Sequence, residues 1–166
     1  MQKLPIFILF LIISFKLSAQ TPDSLLKPSP VKTLSSKEYT ALINGDDLNN
    51  FGLVAELNNY PSADKALKYK KELDLSPTQA VSLKKINDAL QFKKKEMGAV
   101  IVRNEKVIDS LFRTNKLNDG VIIFYTNRYG IYQGELRNAI LQAAFKTQQL
   151  LSPQQINRLR ALKNHN

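Results

Sequence analysis

The second half of the chain carries apolar residues at three- and four-residue steps, the spacing of an amphipathic helix. Ser76-Pro77-Thr78-Gln79 precedes this stripe and combines Ser at N-cap, Pro at N1 and Gln at N3. The pattern predicts one helix from Pro77 to about Arg113, roughly 55 Å long at ~1.5 Å per residue. Lys93 and Asn104 fall on the stripe, so it is not a clean coiled-coil seam. The apolar members are Leu83, Ile86, Leu90, Met97, Val100, Val107 and Leu111.

A second helical stripe follows a turn over residues 114–119, in which Asn118 or Asp119 is the predicted N-cap. The run Val121–Tyr125 would also suit a strand. Gly130 and Gly134 would each cost ~1 kcal/mol inside a helix. Helix is favoured over residues 120–150 because the stripe continues past both glycines.

Short elements are predicted on either side of these long helices. Ser152-Pro153-Gln154-Gln155 repeats the capping pattern and predicts a last short helix with Ile156, Leu159 and Leu162. Ser35 and Glu38 form a capping box for one short helix ending at Gly45. Ser62 is the predicted N-cap of another, carrying Ala66, Leu67, Tyr69 and Leu73. The residues from Asp46 to Tyr60 show no clean period and receive no element.

The first nineteen residues are typical of a secretory signal peptide. Lys3 precedes the apolar run Leu4–Phe15, and Ala19 is a small residue suited to cleavage. An uncleaved amphipathic anchor is the alternative. The chain is therefore divided into a signal peptide (1–19), a proline-containing N-terminal linker or extension (20–59) and a helical domain (60–166). The predicted location is the periplasm.

Composition excludes several kinds of chemistry. There is no Cys, and the single His is His165, so thiolate catalysis, disulfides and multi-histidine metal sites are not expected. No nucleophile–base pair or phosphate-binding loop is found, and Asp46-Asp47 have no nearby base. The chain is predicted to be a non-enzyme without a cofactor.

The formal charge of the full chain is +10, with 24 basic and 14 acidic residues. Loss of Lys3 and Lys16 with the signal peptide leaves 22 basic residues and a charge of +8. For an exported protein, such a charge favours anionic lipid, cell-wall polymers or other proteins as partners, rather than nucleic acid.

One five-residue pattern, Leu-Ser-Pro-x-Gln, occurs twice, at Leu75–Gln79 and at Leu151–Gln155. Each copy opens a predicted helix, and the two copies flank the two long helices. With Ser in place of the usual Thr, this arrangement resembles the periplasmic LTxxQ-motif family of Spy/CpxP-like proteins. The resemblance covers roughly residues 60–166. Residues 20–59 have no counterpart in the family pattern.

The resemblance implies an all-α fold: a long bent helical hairpin closed by shorter helices, with two copies forming an antiparallel, cradle-shaped homodimer. It implies an ATP-independent chaperone that binds unfolded or misfolded client proteins. The alternative is a regulatory adaptor of a membrane sensor kinase in an envelope-stress or metal response. The metal-binding branch uses His, Met and carboxylate ligands, and because this chain offers only His165 and Met97, no metal site is predicted.

Two sets of site residues are predicted. A structural set, which caps helices, consists of Leu75, Ser76, Pro77, Gln79, Leu151, Ser152, Pro153 and Gln155. A client-binding set, which mixes basic and apolar side chains, consists of Lys84, Lys85, Phe92, Lys93, Lys94, Lys95, Met97, Val100, Arg103, Arg128 and Arg137. Tyr125, Tyr129 and Tyr132 are interpreted as a packing face.

A homodimer is also predicted from burial. A lone hairpin has too little surface to hide a large apolar group on its first helix, and a two-fold partner is the simplest cover. The group consists of Val100, Ile101, Val107, Ile108, Leu111 and Phe112.

Overall fold

The computed structural model describes residues 28–163, which form six α-helices and contain no β-strand. The all-α prediction is confirmed. The helices are α1 (Ser36–Asn44), α2 (Leu53–Leu57), α3 (Ala63–Lys68), α4 (Pro77–Arg113), α5 (Asp119–Leu150) and α6 (Pro153–Lys163). None of the helices in this part of the chain combines the length and apolar character needed to cross a bilayer. The predicted signal peptide and His165 lie outside the described residues.

The two long helices begin and end where the sequence predicts. At the start of α4, the Gln79 N–H donates to the Ser76 hydroxyl over 3.1 Å, and the Ser76 N–H donates to Gln79 Oε1 over 3.0 Å. At the start of α5, the Val121 N–H donates to Asn118 Oδ1 over 3.0 Å. The run Val121–Tyr125 is helical, so the strand alternative is excluded.

α4 and α5 pack against each other in opposite directions. Near the start of α4, Gln79 Nε2 donates to the carbonyl of Leu150, the last residue of α5, over 2.8 Å. Further along α4, Asn104 Nδ2 donates to the Tyr125 carbonyl near the start of α5, over 3.2 Å. The start of each helix therefore lies beside the end of the other.

The segment before residue 60 is packed onto this pair from Val31 onwards. Thr33 Oγ1 donates to Glu105 Oε2 over 2.9 Å, whereas Gly45 lies against Lys94, so α1 runs antiparallel to α4. The predicted capping box and the end at Gly45, where φ is +78°, are both present. Glu38 accepts hydrogen bonds from the hydroxyl and the N–H of Ser35, and these lower its pKa below the usual value. The box therefore contributes stability that is lost as the pH falls through this lowered pKa.

Two predictions for the short elements need correction. The stretch from Asp46 to Tyr60, which received no element, contains α2; it follows Gly52, whose backbone lies close to Ile140 of α5. The short helix after Ser62 ends at Lys68 and so does not include Tyr69 or Leu73. Ser62 occupies its N-cap position, but its side chain makes no capping hydrogen bond.

A core closes the end of the pair at which α4 begins. Leu73, Leu83, Leu151 and Leu159 are buried there together, with Ala63 and Ala66 of α3. Side chains from α3, α4 and α6 thus share one cluster with the loops that precede α4 and α6. Each of these elements contributes a side chain to the cluster that contains Leu83, near the start of α4.

Ile101, one of the apolar residues for which the sequence predicted cover by a second copy, is already covered within the chain. Ile101 is only 1% exposed, and the segment from Thr33 to Gly45 runs along α4 on both sides of this level. The sequence estimate counted only residues from 60 onwards and so omitted this cover. Val100, Val107, Ile108 and Leu111 are half-buried, whereas Phe112 is exposed.

The contact between α1 and α4 depends on Gly98. An added Cβ at this position would lie 1.8 Å from the Leu42 carbonyl oxygen, so the backbones would have to separate. We expect Gly98→Ala to lower the free energy of unfolding by about 2 kcal/mol, because the clash is with main chain and not with a movable side chain. Thermal or urea unfolding followed by circular dichroism measures this change.

Gly130→Ala and Gly134→Ala are matched controls, because an added Cβ at either position meets nothing within 4 Å. We expect each control to raise the stability by up to ~1 kcal/mol, the ordinary preference of a helix for Ala over Gly. A Gly98→Ala protein as stable as these controls would show that α1 does not pack closely on α4.

Candidate functional site

The two Leu-Ser-Pro-x-Gln motifs meet where α4 begins and α5 ends. The side-chain amides of Gln79 and Gln155 form a reciprocal pair: Gln79 Nε2 donates to Gln155 Oε1 over 2.9 Å, and Gln155 Nε2 donates to Gln79 Oε1 over 3.1 Å. Each Oε1 also accepts the N–H of its own N-cap residue, Ser76 or Ser152. The two helix caps are therefore joined directly by hydrogen bonds between their glutamine side chains.

The second proton of each amide reaches the backbone just before the opposite motif. Gln79 Nε2 donates to the Leu150 carbonyl over 2.8 Å, and Gln155 Nε2 donates to the Leu73 carbonyl over 3.2 Å. Each glutamine amide therefore makes two donated and two accepted hydrogen bonds, its full capacity. The predicted caps are confirmed, and the pairing between them is a feature that spacing could not predict.

The remaining motif residues support the same end of the fold. Leu151 is buried in the core cluster, and Leu75 packs against that cluster. Pro77 and Pro153 occupy the first positions of α4 and α6 and are exposed. All of these contacts connect elements of the scaffold, so the motif pair is structural.

Much of the predicted client-binding set is exposed but is distributed along α4 and α5. Lys84 is paired with Asp88 at 2.6 Å, and Lys93 with Glu96 at 3.0 Å. Such exposed pairs along one helix contribute little to stability. The other exposed members, which form no ion pair within residues 28–163, are Lys85, Phe92, Lys95, Arg103, Arg128 and Arg137.

Three members of the set are less available than the sequence indicated. Met97 is only 7% exposed and belongs to the core, so it does not lie on a binding surface. Val100 is half-buried. The stem of Lys94 lies against Gly45, so charge reversal across residues 93–95 would also disturb α1.

A group of exposed apolar residues flanks the turn between α4 and α5. It consists of Phe112, Ile122, Ile123 and Phe124, here called the tip cluster, whose residues are 56%, 38%, 59% and 51% exposed. The segment that covers α4 near Glu105 does not cover Phe112, which lies two helical turns further along. Sequence reasoning did not assign these residues to client binding. Yet five consecutive apolar residues in a helix, as in Val121–Tyr125, must place some side chains outward.

Aromatic and basic side chains continue the tip cluster along α5. The Arg128 guanidinium lies 5.1 Å from the Phe124 ring centroid and 5.5 Å from that of Tyr132. Arg128 Nε also donates to the Tyr132 hydroxyl over 2.7 Å. Arg113 and Lys116 are exposed at the turn, with Arg113 3.8 Å from Asp109. The tip therefore combines apolar area with positive charge.

Within residues 28–163, no three His, Asp or Glu side chains are grouped so that they could hold a metal ion. No family model, curated protein or solved structure matches the chain significantly.

The amide pair generates a stability prediction. We expect Gln79→Ala and Gln155→Ala each to lower the free energy of unfolding by about 2 kcal/mol, since each leaves partly buried polar groups without partners. The double variant should lose less than the sum of the two, because either single change already breaks the pair. Urea unfolding of the four proteins measures the coupling.

Gln154→Ala is the matched control, because Gln154 is an exposed glutamine one residue before Gln155. We expect it to change the stability by less than ~0.5 kcal/mol. Strictly additive losses at Gln79 and Gln155 would contradict the reciprocal pair.

Proposed function

We propose that this protein is an ATP-independent chaperone of the periplasm, which binds unfolded or misfolded proteins through the tip cluster. The observation that carries the proposal is the concentration of four large exposed apolar side chains at one end of the fold. Single exposed apolar residues are normal on protein surfaces, whereas grouped ones mark sites of interaction. The resemblance of the two Leu-Ser-Pro-x-Gln motifs to the LTxxQ-motif family supports the same function.

The chemistry of the tip suits loose binding of varied chains. Apolar side chains at a turn can contact many client sequences without a shaped pocket. Arg113, Lys116 and Arg128 add positive charge, which speeds encounter with acidic or partly unfolded clients. The formal charge of +8 expected after loss of the signal peptide has the same effect over longer distances.

The proposal includes the quaternary arrangement implied by the resemblance. In it, α4 and α5 form a bent hairpin closed by the shorter helices, and two copies pair antiparallel as a cradle. The half-buried Val107, Ile108 and Leu111 of α4 are apolar area that a second copy would cover. Sedimentation of the mature protein as a compact monomer at micromolar concentration would overturn the dimer.

The function is tested by suppression of aggregation of an unrelated, chemically denatured enzyme, measured by light scattering. A tip variant changes Phe112, Ile123 and Phe124 to Ser. We expect it to weaken capture at least tenfold, a loss of about 1.4 kcal/mol, since each removed side chain loses apolar contact area. Raising the salt from 0.1 to 1 M shortens the Debye length from ~10 to ~3 Å and should slow capture by the unmodified protein.

The control variant changes three exposed apolar residues outside the tip, Leu57, Val81 and Phe145, to Ser. It should retain capture, and circular dichroism should show all three proteins equally helical. Equal loss in both variants would refute the tip as the binding site. Failure of the unmodified protein to suppress aggregation, with capture of one membrane sensor kinase, would replace the chaperone with the adaptor.

A further inference from the structure

A groove of about 400 Å³ lies at the opposite end of the molecule from the tip cluster, between α2, α3, α5 and α6. Its lining is apolar where the helices converge: Leu90 comes from α4, Ile140 and Ala144 from α5, and Ile156 and Leu159 from α6. Ligand sites in proteins are typically clefts of ~300–1,000 Å³ with this character. The groove is therefore large enough for one small ligand.

Positive charge surrounds the groove and is only partly neutralised. Lys65, Lys68 and Arg160 line it together with Asp47 and Glu56. Glu56 Oε1 lies 3.4 Å from Lys65 Nζ, so one cation already has an anionic partner. Between residues 28 and 163, no carboxylate forms an ion pair with Lys68 or Arg160.

The carboxylate of Asp47, the second acidic residue of the lining, already accepts hydrogen bonds from the backbone. Asp47 accepts the N–H of Phe51 over 3.0 Å and that of Gly52 over 3.2 Å, and so fixes the loop before α2. Lys68 lies 5.1 Å from the centroid of the Tyr69 ring, an arrangement that leaves its ammonium charge unneutralised. The lining thus carries three cations and two carboxylates, and within residues 28–163 neither Lys68 nor Arg160 forms an ion pair.

A separate observation concerns Ser62, which also lines the groove. Its Oγ is buried and has no hydrogen-bond partner among the described residues. Because this oxygen has almost no solvent-accessible surface, a ligand in the groove would not reach it. The groove therefore presents Lys68 and Arg160, two cations that form no ion pair within residues 28–163, beside an apolar floor.

We infer that this groove binds a free medium-chain fatty acid, with its acyl chain on the apolar floor and its carboxylate near Lys68 and Arg160. The volume favours one acyl chain over the two chains of a membrane phospholipid. The unpaired cations favour an anionic headgroup over a neutral or cationic one. This inference does not depend on the proposed chaperone function, since the groove shares no residue with the tip cluster.

The test is isothermal titration of the folded protein with dodecanoate, and separately with dodecyltrimethylammonium, both below their micellar concentrations. Both probes have a twelve-carbon chain, and their headgroups carry opposite charges. We expect dodecanoate to bind at one site at least tenfold more tightly than the cationic probe. Equal binding of both probes would overturn the inference, because exposed apolar surface elsewhere would then suffice.

Two variants locate the binding. Lys68→Glu with Arg160→Glu should lower dodecanoate affinity at least tenfold, whereas the control Lys85→Glu with Arg103→Glu makes the same charge change on α4 and should not. Ala144→Phe narrows the groove and should abolish binding of both probes, provided that its melting transition shows a folded protein. An equal loss of dodecanoate affinity in the control pair would refute the site. The two charge-reversal variants test the site even if Ala144→Phe does not fold.

Discussion

The reciprocal amide pair of Gln79 and Gln155 is the interaction on which the rest of the structure depends. Two long helices joined by a short turn have no intrinsic reason to keep one register, since each is only partly amphipathic. The amides connect the start of α4 to the end of α5 and the start of α6, and they also reach the loop after α3. Because every donor and acceptor of both amides is used, displacement of any one of these elements leaves partly buried polar groups unpaired.

The cover over the long helices decreases from this end towards the turn. Near the amide pair, α3 and α6 contribute to a common core, and α2 lies against α5. Along the middle, α1 lies against α4, and the close approach of Leu42 requires glycine at position 98. Among the described residues before 60, the hydrogen bond to α4 is that of Thr33 with Glu105, and Phe112 lies two helical turns beyond it. The exposure of Phe112 follows from this order of cover.

Local signals in the sequence predicted the helix ends, because a cap needs only residues three positions apart. Ser35, Ser76, Asn118 and Ser152 all precede helices as expected. Contacts between distant segments were not predictable in this way: neither the Gln79–Gln155 pair nor the docking of α1 on Gly98 has a signal in periodicity. The client-binding residues inferred from basic and apolar character were therefore placed along α4 and α5, and one of them, Met97, is buried. The five apolar residues at 121–125 carried the better signal, since a helix cannot bury all of them on one side.

The two proposed binding regions differ in the chemistry that each can perform. Leu90, at the groove, and Phe112, in the tip cluster, are separated along α4 by roughly 33 Å at ~1.5 Å per residue. The groove is a bounded space lined by apolar and basic side chains, so it can select one small molecule by size and charge. The tip is an open surface without such a boundary, and it can only select for apolar character and acidity. A ligand in the groove would brace α3 and α6 against the core beside the amide pair. Because no contact of the groove extends to the tip, stabilisation of one end would leave the binding chemistry of the other unchanged.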